Sequence, residues 1–180
     1  NEPEPAGSVS RCVVITPARN EVSHLGWTID AMLSQTVTPL AWYIVDDGST
    51  DGTTAIIEAA EVAVPWIHLV RRPDRGRREA GGGVVEAVVA GIEAMTVHDW
   101  EVLVKLDADL TFEPDYFATC LAAFAADPQL GITGGTISNL VSGERISEPH
   151  PAFHVRGATK FYRRACWASI GGLAPVPGWD

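Results

Sequence analysis

Cysteine is scarce in this 180-residue chain: Cys12, Cys120 and Cys166 are three residues at unrelated spacings. An odd count with no repeated spacing argues against a disulfide framework or a zinc cluster, fits a reducing cytoplasm, and leaves the thiols as small apolar packing groups. Long hydrophobic runs are missing as well, since no stretch approaches the ~20 apolar residues of a membrane-spanning helix. Positive charge is the third shortage. With 13 Lys and Arg against 23 Asp and Glu, the formal net charge is −10. That balance disfavours a nucleic-acid-binding surface, because a phosphate backbone must be met with concentrated Lys and Arg. The opening NEPEPAGSVSR also lacks the apolar segment of a signal peptide and reads as a loose arm over residues 1–10.

What is present is 46% hydrophobic and 20% charged sequence, enough for one globular domain with a real core over residues 11–180. Strand patterns alternate with helical ones, the mark of an α/β layered sheet. RCVVIT (11–16), AWYIV (41–45), the short run 66–70 and VLVKL (102–106) read as strands. Between them, Leu25, Ile29, Met32 and Leu33 recur at helical spacing, as do Ile56, Ile57 and Ala60. Further helices are expected over about 84–95 and from Pro114 and Asp115 through Phe117, Leu121 and Phe124. GITGGTISN suggests another strand, VSGERISEPHPAFHV a loop, and 160–170 a helix stopped at Gly171 and Gly172.

The chemistry concentrates at strand ends. Asp107 and Asp109 in KLDAD close an apolar strand. Strand side chains alternate, so the two acids, two residues apart, are expected to share a face and to reach one divalent cation or one phosphate-bearing ligand. Taken alone, the pair reads better as a solvated, acidic strand-to-helix turn, and the functional reading rests on the motifs that accompany it. RRPDRGRRE gathers Arg71, Arg72, Arg75, Arg77 and Arg78 into one loop of an acidic chain, a cluster able to neutralise a diphosphate or to stay solvated. Lys105 could add to that charge. DDGSTDGTTAIIE matches much of an EF-hand calcium loop, yet a β-rich run precedes it where an EF-hand needs a helix. TPARNEVSHLG lacks the GxGxxG of a Rossmann site, and no P-loop occurs. His150 and His154 have helical metal-site spacing, but Pro149 and Pro151 make a helix there unworkable.

VVITPARNE, VDDGSTDGT, the Arg and Gly loop and KLDAD, followed by GATKFYRR, Gly171-Gly172 and PGWD, together resemble the family 2 glycosyltransferases of the GT-A fold. The resemblance implies a three-layer α/β/α sandwich with a mostly parallel mixed sheet. It also implies transfer of a sugar, with inversion, from a nucleotide-diphosphate donor to a hydroxyl acceptor, assisted by Mg²⁺ or Mn²⁺. Thr16, Pro17, Arg19 and Glu21 lie where family members line the nucleoside pocket, and Asp47 matches the acid that accepts a hydrogen bond from the base. A carboxylate cannot donate, so it suits the imide N–H of uracil or guanine; a UDP-sugar is the favoured donor. Asp107 matches the position near the ribose or metal-bound water, Asp109 the direct metal ligand, and Arg72 is the choice from the cluster for the diphosphate. Asp51 is expected to cap the second helix.

Inversion also needs a general base for the acceptor hydroxyl, and the resemblance places it at Asp180 or just beyond. The expectation is a catalytic core of a longer protein, cytoplasmic, with membrane association supplied by segments outside this sequence and a saccharide or lipid-linked acceptor. Two alternatives stand beside it. One is a nucleotide-sugar-binding core without turnover; the other is a sugar-nucleotide nucleotidyltransferase, for which TPARNEVSHLG is a poor signature loop.

Overall fold

A computed structural model describes residues 8–9, 11–74, 76, 82–142, 144–147, 151 and 154–173. In chain order its elements are β1 (Ser8–Val9), β2 (Cys12–Ala18), α1 (Leu25–Leu33), β3 (Val37–Thr38), β4 (Ala41–Asp46), α2 (Thr53–Ala63), β5 (Ile67–Arg71) and α3 (Gly82–Glu93). There follow β6 (Val102–Leu106), α4 (Tyr116–Ala126), β7 (Ile132–Thr133), β8 (Ser138–Val141), β9 (Glu144–Ser147), β10 (Thr159–Arg163) and α5 (Arg164–Ile170).

The main sheet runs in the order β5-β4-β2-β6-β10-β7. β5, β4, β2 and β6 are parallel, while β10 runs antiparallel to both β6 and β7. From β2 the chain steps outward to β4 and β5, then returns to the other side of β2 for β6. That reversal places a topological switch point at the carboxyl ends of β2 and β6, where open α/β sheets bind ligands.

Alternating side chains sort the helices into layers. Cys12, Val14 and Ala18 of β2 pack with Leu25, Ile29 and Met32 of α1, Ile57 of α2, and Phe117 and Phe124 of α4. Val13 and Ile15 face the other way, against Ala87 and Val88 of α3, with Trp167 of α5 at the margin. The result is the expected α/β/α sandwich, and burial on both faces explains why the strands read as continuous apolar runs. At Gly91 an added Cβ would lie 2.6 Å from Ile15 Cγ2 and 2.9 Å from Val45 Cγ2, so glycine lets α3 close on the sheet. Cys12 and Cys120 are buried thiols in this packing.

Three expectations need correction. Residues 160–170 are not one helix: the stretch before Arg164 is β10, and only Arg164–Ile170 is helical. Phe161 and Tyr162 go to opposite apolar layers, an alternation that only a strand wedged between β6 and β7 can satisfy. The stretch 141–155 is not all loop: its Glu144–Ser147 is β9, which pairs back on β8, Asn139 opposite Ile146, around Ser142 at φ 52°. GITGGTISN is divided between β7 and β8. Its Gly134 and Gly135 lie so close to Thr159 O and the Tyr116 ring that an added Cβ would fall at 2.5 and 2.7 Å, respectively.

The helix stop at Gly171 holds, with a left-handed φ of 72°. Of the expected arm only residues 8–9 are described, and they pair in parallel with Val37–Thr38. Among the described residues no helix is long and apolar enough to cross a membrane.

Candidate functional site

The loops that leave β2 and β4 are knitted into one body. Asn20, in the left-handed region at φ 56°, donates its amide to Ser49 Oγ (3.0 Å) and accepts the Thr50 amide on its side chain (2.9 Å). The Glu21 amide donates to Thr53 Oγ1 (2.8 Å) and the Val22 amide to Asp51 Oδ2 (3.2 Å). Asp51 also accepts the Thr53 amide at 3.0 Å, but from the position before the N-cap of α2, which is Gly52 rather than Asp51. Burial pushes the Asp51 carboxyl upward, but the Thr53 hydroxyl and the Thr53 and Val22 amides outweigh it and hold the group below its ordinary value.

The two acids of DDGS divide their work. Asp46 accepts the Ser49 amide at 2.9 Å and the Thr54 hydroxyl, so it shapes the turn. Asp47 is anchored through its own amide to Ala18 O (2.9 Å), and its Oδ1 meets Arg72 Nη1 at 2.6 Å. Arg72 reaches on to Glu86 at 3.1 Å. Arg19 donates to the Asp47 carbonyl and to Asp74 Oδ1 at 2.6 Å. The Arg19 guanidinium, helped by the Gly76 amide, holds the Asp74 carboxyl below its ordinary value. These contacts require Gly48: at φ +74°, a Cβ there would lie 2.4 Å from Asp74 Cα.

The arginine cluster is therefore split. Arg72 turns inward to Asp47, Arg71 pairs outward with Glu58, and Arg75, Arg77 and Arg78 lie outside the described residues. Thr16 is fully buried, and its hydroxyl accepts the Trp42 indole N–H at 2.8 Å, so its side chain belongs to the core rather than the loop surface. Pro17 is half-buried beside Val45. Glu21 stands at the start of α1, its carbonyl accepting the Leu25 amide (2.9 Å) and its carboxylate 3.5 Å from His24 Nδ1.

At the other strand end, the shared-face argument for Asp107 and Asp109 fails, because β6 stops at Leu106, opposite Thr159. Asp107 donates its amide to Ala158 O at 2.8 Å, and Ala108–Asp109 form a turn. Thr28 of α1 holds that turn: its buried hydroxyl donates to Ala108 O (2.8 Å) and accepts the Leu110 amide (3.0 Å). Asp109 is exposed and has no hydrogen-bond or ion-pair partner among the described residues. Lys105 cannot serve a diphosphate as expected, since it is 3% exposed and its Nζ is committed to Asp107 (2.5 Å) and Gly157 O (2.7 Å).

No group of three metal-ligating side chains occurs among the described residues. Two carboxylates in one turn are too few for an all-protein cage. They do suit Mg²⁺ or Mn²⁺ carried by phosphates, which such sites hold through one or two carboxylates.

Immediately after Asp109 begins a cavity of about 560 Å³, walled by Leu110, Phe112, Tyr116, Thr136, Leu140 and Arg145 among others. Tyr116 offers it only a ring, since the hydroxyl is paired with Thr159 Oγ1 (2.9 Å) and the Gly135 amide (2.8 Å), and burial raises its pKa. Thr28 and this cavity were missed in the sequence. Thr28 carries no local signal, whereas Phe112 and Tyr116 follow DADL closely enough to have been suspected. Asp180 and His150 lie outside the described residues.

The family profile described as "Glycosyl transferase family 2" matches residues 13–175. The chain belongs to glycosyl transferase family 2. Among its curated family relatives, the polyprenol monophosphomannose synthase of Mycolicibacterium smegmatis is 28% identical over 144 residues, covering 77% of this chain and 52% of that protein. The hyaluronan synthase of Pasteurella multocida is 28% identical over 127 residues, 71% of this chain but 12% of that enzyme. This family 2 chain thus spans about half the length of one relative and a small part of the other. In fold it is similar to the mannosyltransferase PcManGT from Pyrobaculum calidifontis, in complex with GDP-Man and Mn²⁺, with TM-score 0.69, 20% identity, and coverage of 94% of this chain and 49% of that one. The UDP complex of S. aureus TarS 1-349 gives TM-score 0.65 at 17% identity, over 91% of this chain and 50% of that one.

Proposed function

We propose that this domain moves a sugar from a nucleotide-diphosphate donor to a hydroxyl acceptor, with inversion and with a divalent metal. The observation that supports this most is positional. In a family 2 chain, the knitted loops after β2 and β4 and the turn after β6 all lie at the carboxyl edge of the parallel strands, around the switch point. Asp47, held from both sides by Arg19 and Arg72, accepts the imide N–H of the base. UDP is the favoured nucleotide, and GDP offers the same donor. Mg²⁺ or Mn²⁺, when bound, neutralises the charge that develops on the leaving nucleoside diphosphate. Asp109, exposed and turned out by the Thr28 clamp, and Asp107 beside it are the residues to hold that ion. The cavity that opens at Leu110 receives the sugar-bearing side of the reaction, with a saccharide or lipid-linked alcohol as acceptor. Asp180 is the proposed general base.

PcManGT in complex with GDP-Man and Mn²⁺, and TarS with UDP, support a nucleotide-sugar donor. Calorimetric titration of UDP and GDP, each with Mn²⁺, tests the reading, and binding of neither sinks it. Release of labelled sugar from a bound donor then separates an enzyme from a binding core. Asp109→Ala is expected to abolish metal-dependent nucleotide binding, whereas Asp180→Ala spares binding and removes transfer.

A further inference from the structure

Lys105 is one of two lysines in the chain, with Lys160, and lies at 3% exposure on the penultimate residue of β6. A buried ammonium is tolerated only where it is paired. Its Nζ donates to Asp107 Oδ1 at 2.5 Å and to Gly157 O at 2.7 Å, so one cation ties the DAD turn to the segment that leads into β10. The backbone repeats the tie, Asp107 N to Ala158 O at 2.8 Å.

Resting on the function proposed above, we propose that Lys105 is a positioning residue acting through Asp107. It masks that carboxylate's charge and fixes it to the 154–158 segment. Asp109 is then the anchor for the divalent cation, and the site takes the cation together with a nucleoside diphosphate rather than alone. Two carboxylates and one ammonium leave a single net negative charge in the turn, which is weak attraction for a bare divalent ion. A diphosphate brings the missing oxygens and charge with it.

The test is titration with Mn²⁺ alone, free ion being followed by electron paramagnetic resonance. Lys105→Met is expected to tighten bare Mn²⁺ binding about tenfold, because the Asp107 carboxylate, no longer neutralised by the ammonium, then adds its charge to the ion's site. Damage to the fold would weaken binding instead, so the sign itself discriminates. Lys105→Arg, which keeps the charge, returns the wild-type value, and in an Asp107→Asn background Lys105→Met changes nothing further. Unchanged or weaker binding in Lys105→Met, the same tightening without Asp107, or no Mn²⁺ binding in any variant overturns the proposal. Should Lys105→Met fail to fold, Asp107→Asn and Asp109→Asn decide: the second is expected to lose at least about tenfold more affinity, and equal losses overturn the assignment. Failure of UDP and GDP to bind the wild type with metal present would sink the function instead, and the nucleotide-free titration keeps the two failures apart.

Discussion

The carboxyl edge of β2, β4 and β6 and the β8–β9 hairpin are both loop-rich parts of this molecule, yet they are built in opposite ways. The first is cross-linked residue by residue: Asn20 to Ser49 and Thr50, Glu21 to Thr53, Arg72 to Asp47, Thr28 to the DAD turn. The hairpin shows every described residue to solvent, with Leu140 72% and Ile146 52% exposed. A loop whose polar groups satisfy one another needs no apolar burial to stay in place. On the function proposed above, donor recognition, which calls for fixed geometry, belongs to the first region, and acceptor choice to the cavity that Ser138, Leu140 and Arg145 of the hairpin help to line.

The comparison breaks hardest at glycine. Gly48→Ala puts a Cβ 2.4 Å from Asp74 Cα at φ +74°. Left-handed strain plus a backbone collision is expected to cost about 2–4 kcal/mol, read as a fall in the urea midpoint, and to weaken nucleotide binding. Gly171→Ala has the same kind of φ, +72°, but open space around it, so strain alone remains, about 1 kcal/mol. Equal losses at the two positions would show that close packing of the β4 and β5 loops is not what Gly48 supplies.

Next is the clamp beneath the acidic turn. Thr28→Val keeps the shape of a fully buried side chain but strips Ala108 O of its donor and the Leu110 amide of its acceptor. Leaving such groups unsatisfied costs about 1–3 kcal/mol. Metal-dependent nucleotide affinity should fall with it, because Asp109 belongs to the turn being released. A variant destabilised to this degree that still binds nucleotide and Mn²⁺ at the wild-type level would detach the clamp from the site.

These residues also mark where the sequence is readable. Strands β2, β4 and β6 stand out as largely apolar runs, and DDGSTDG and KLDAD announce the ends of β4 and β6, because those signals are local in the chain. Thr28 with Ala108, Arg19 with Asp74 and Lys105 with Gly157 are contacts between distant segments, and no spacing encodes them. TKFYR reads as helix beside RACWASI because its own alternation is only two aromatics long; its strand identity comes from β6 and β7 on either side. Strand alternation does not carry on from Leu106, where pairing with β10 ends, to Asp107 and Asp109.

A smaller effect comes from pH. Burial pushes the Asp51 carboxyl upward, but the Thr53 hydroxyl and amide in its own loop, and the Val22 amide from the β2 loop, hold it below its ordinary value. A depressed carboxyl contributes stability that is present above its unfolded value of 3.8 and is lost as pH falls through the lower folded value. Asp51→Asn is therefore expected to trail the wild type in urea at neutral pH, by a margin that narrows as pH falls below 3.8. A gap that persists unchanged in acid would mean the carboxylate's charge is not what secures the joint.

Least should happen at the hairpin. Leu140→Ser and Ile146→Ser remove side chains that are already more than half in water, so each should shift stability by no more than about 0.5 kcal/mol. The cavity wall, however, includes Leu140 and not Ile146. With a natural acceptor in hand, Leu140→Ser should raise the KM for that acceptor while leaving nucleotide affinity alone, and Ile146→Ser should do neither. If both substitutions act alike, the hairpin serves the cavity only as a lid of any composition. If Leu140→Ser alone disturbs the acceptor, the exposed region selects what the knitted region cannot.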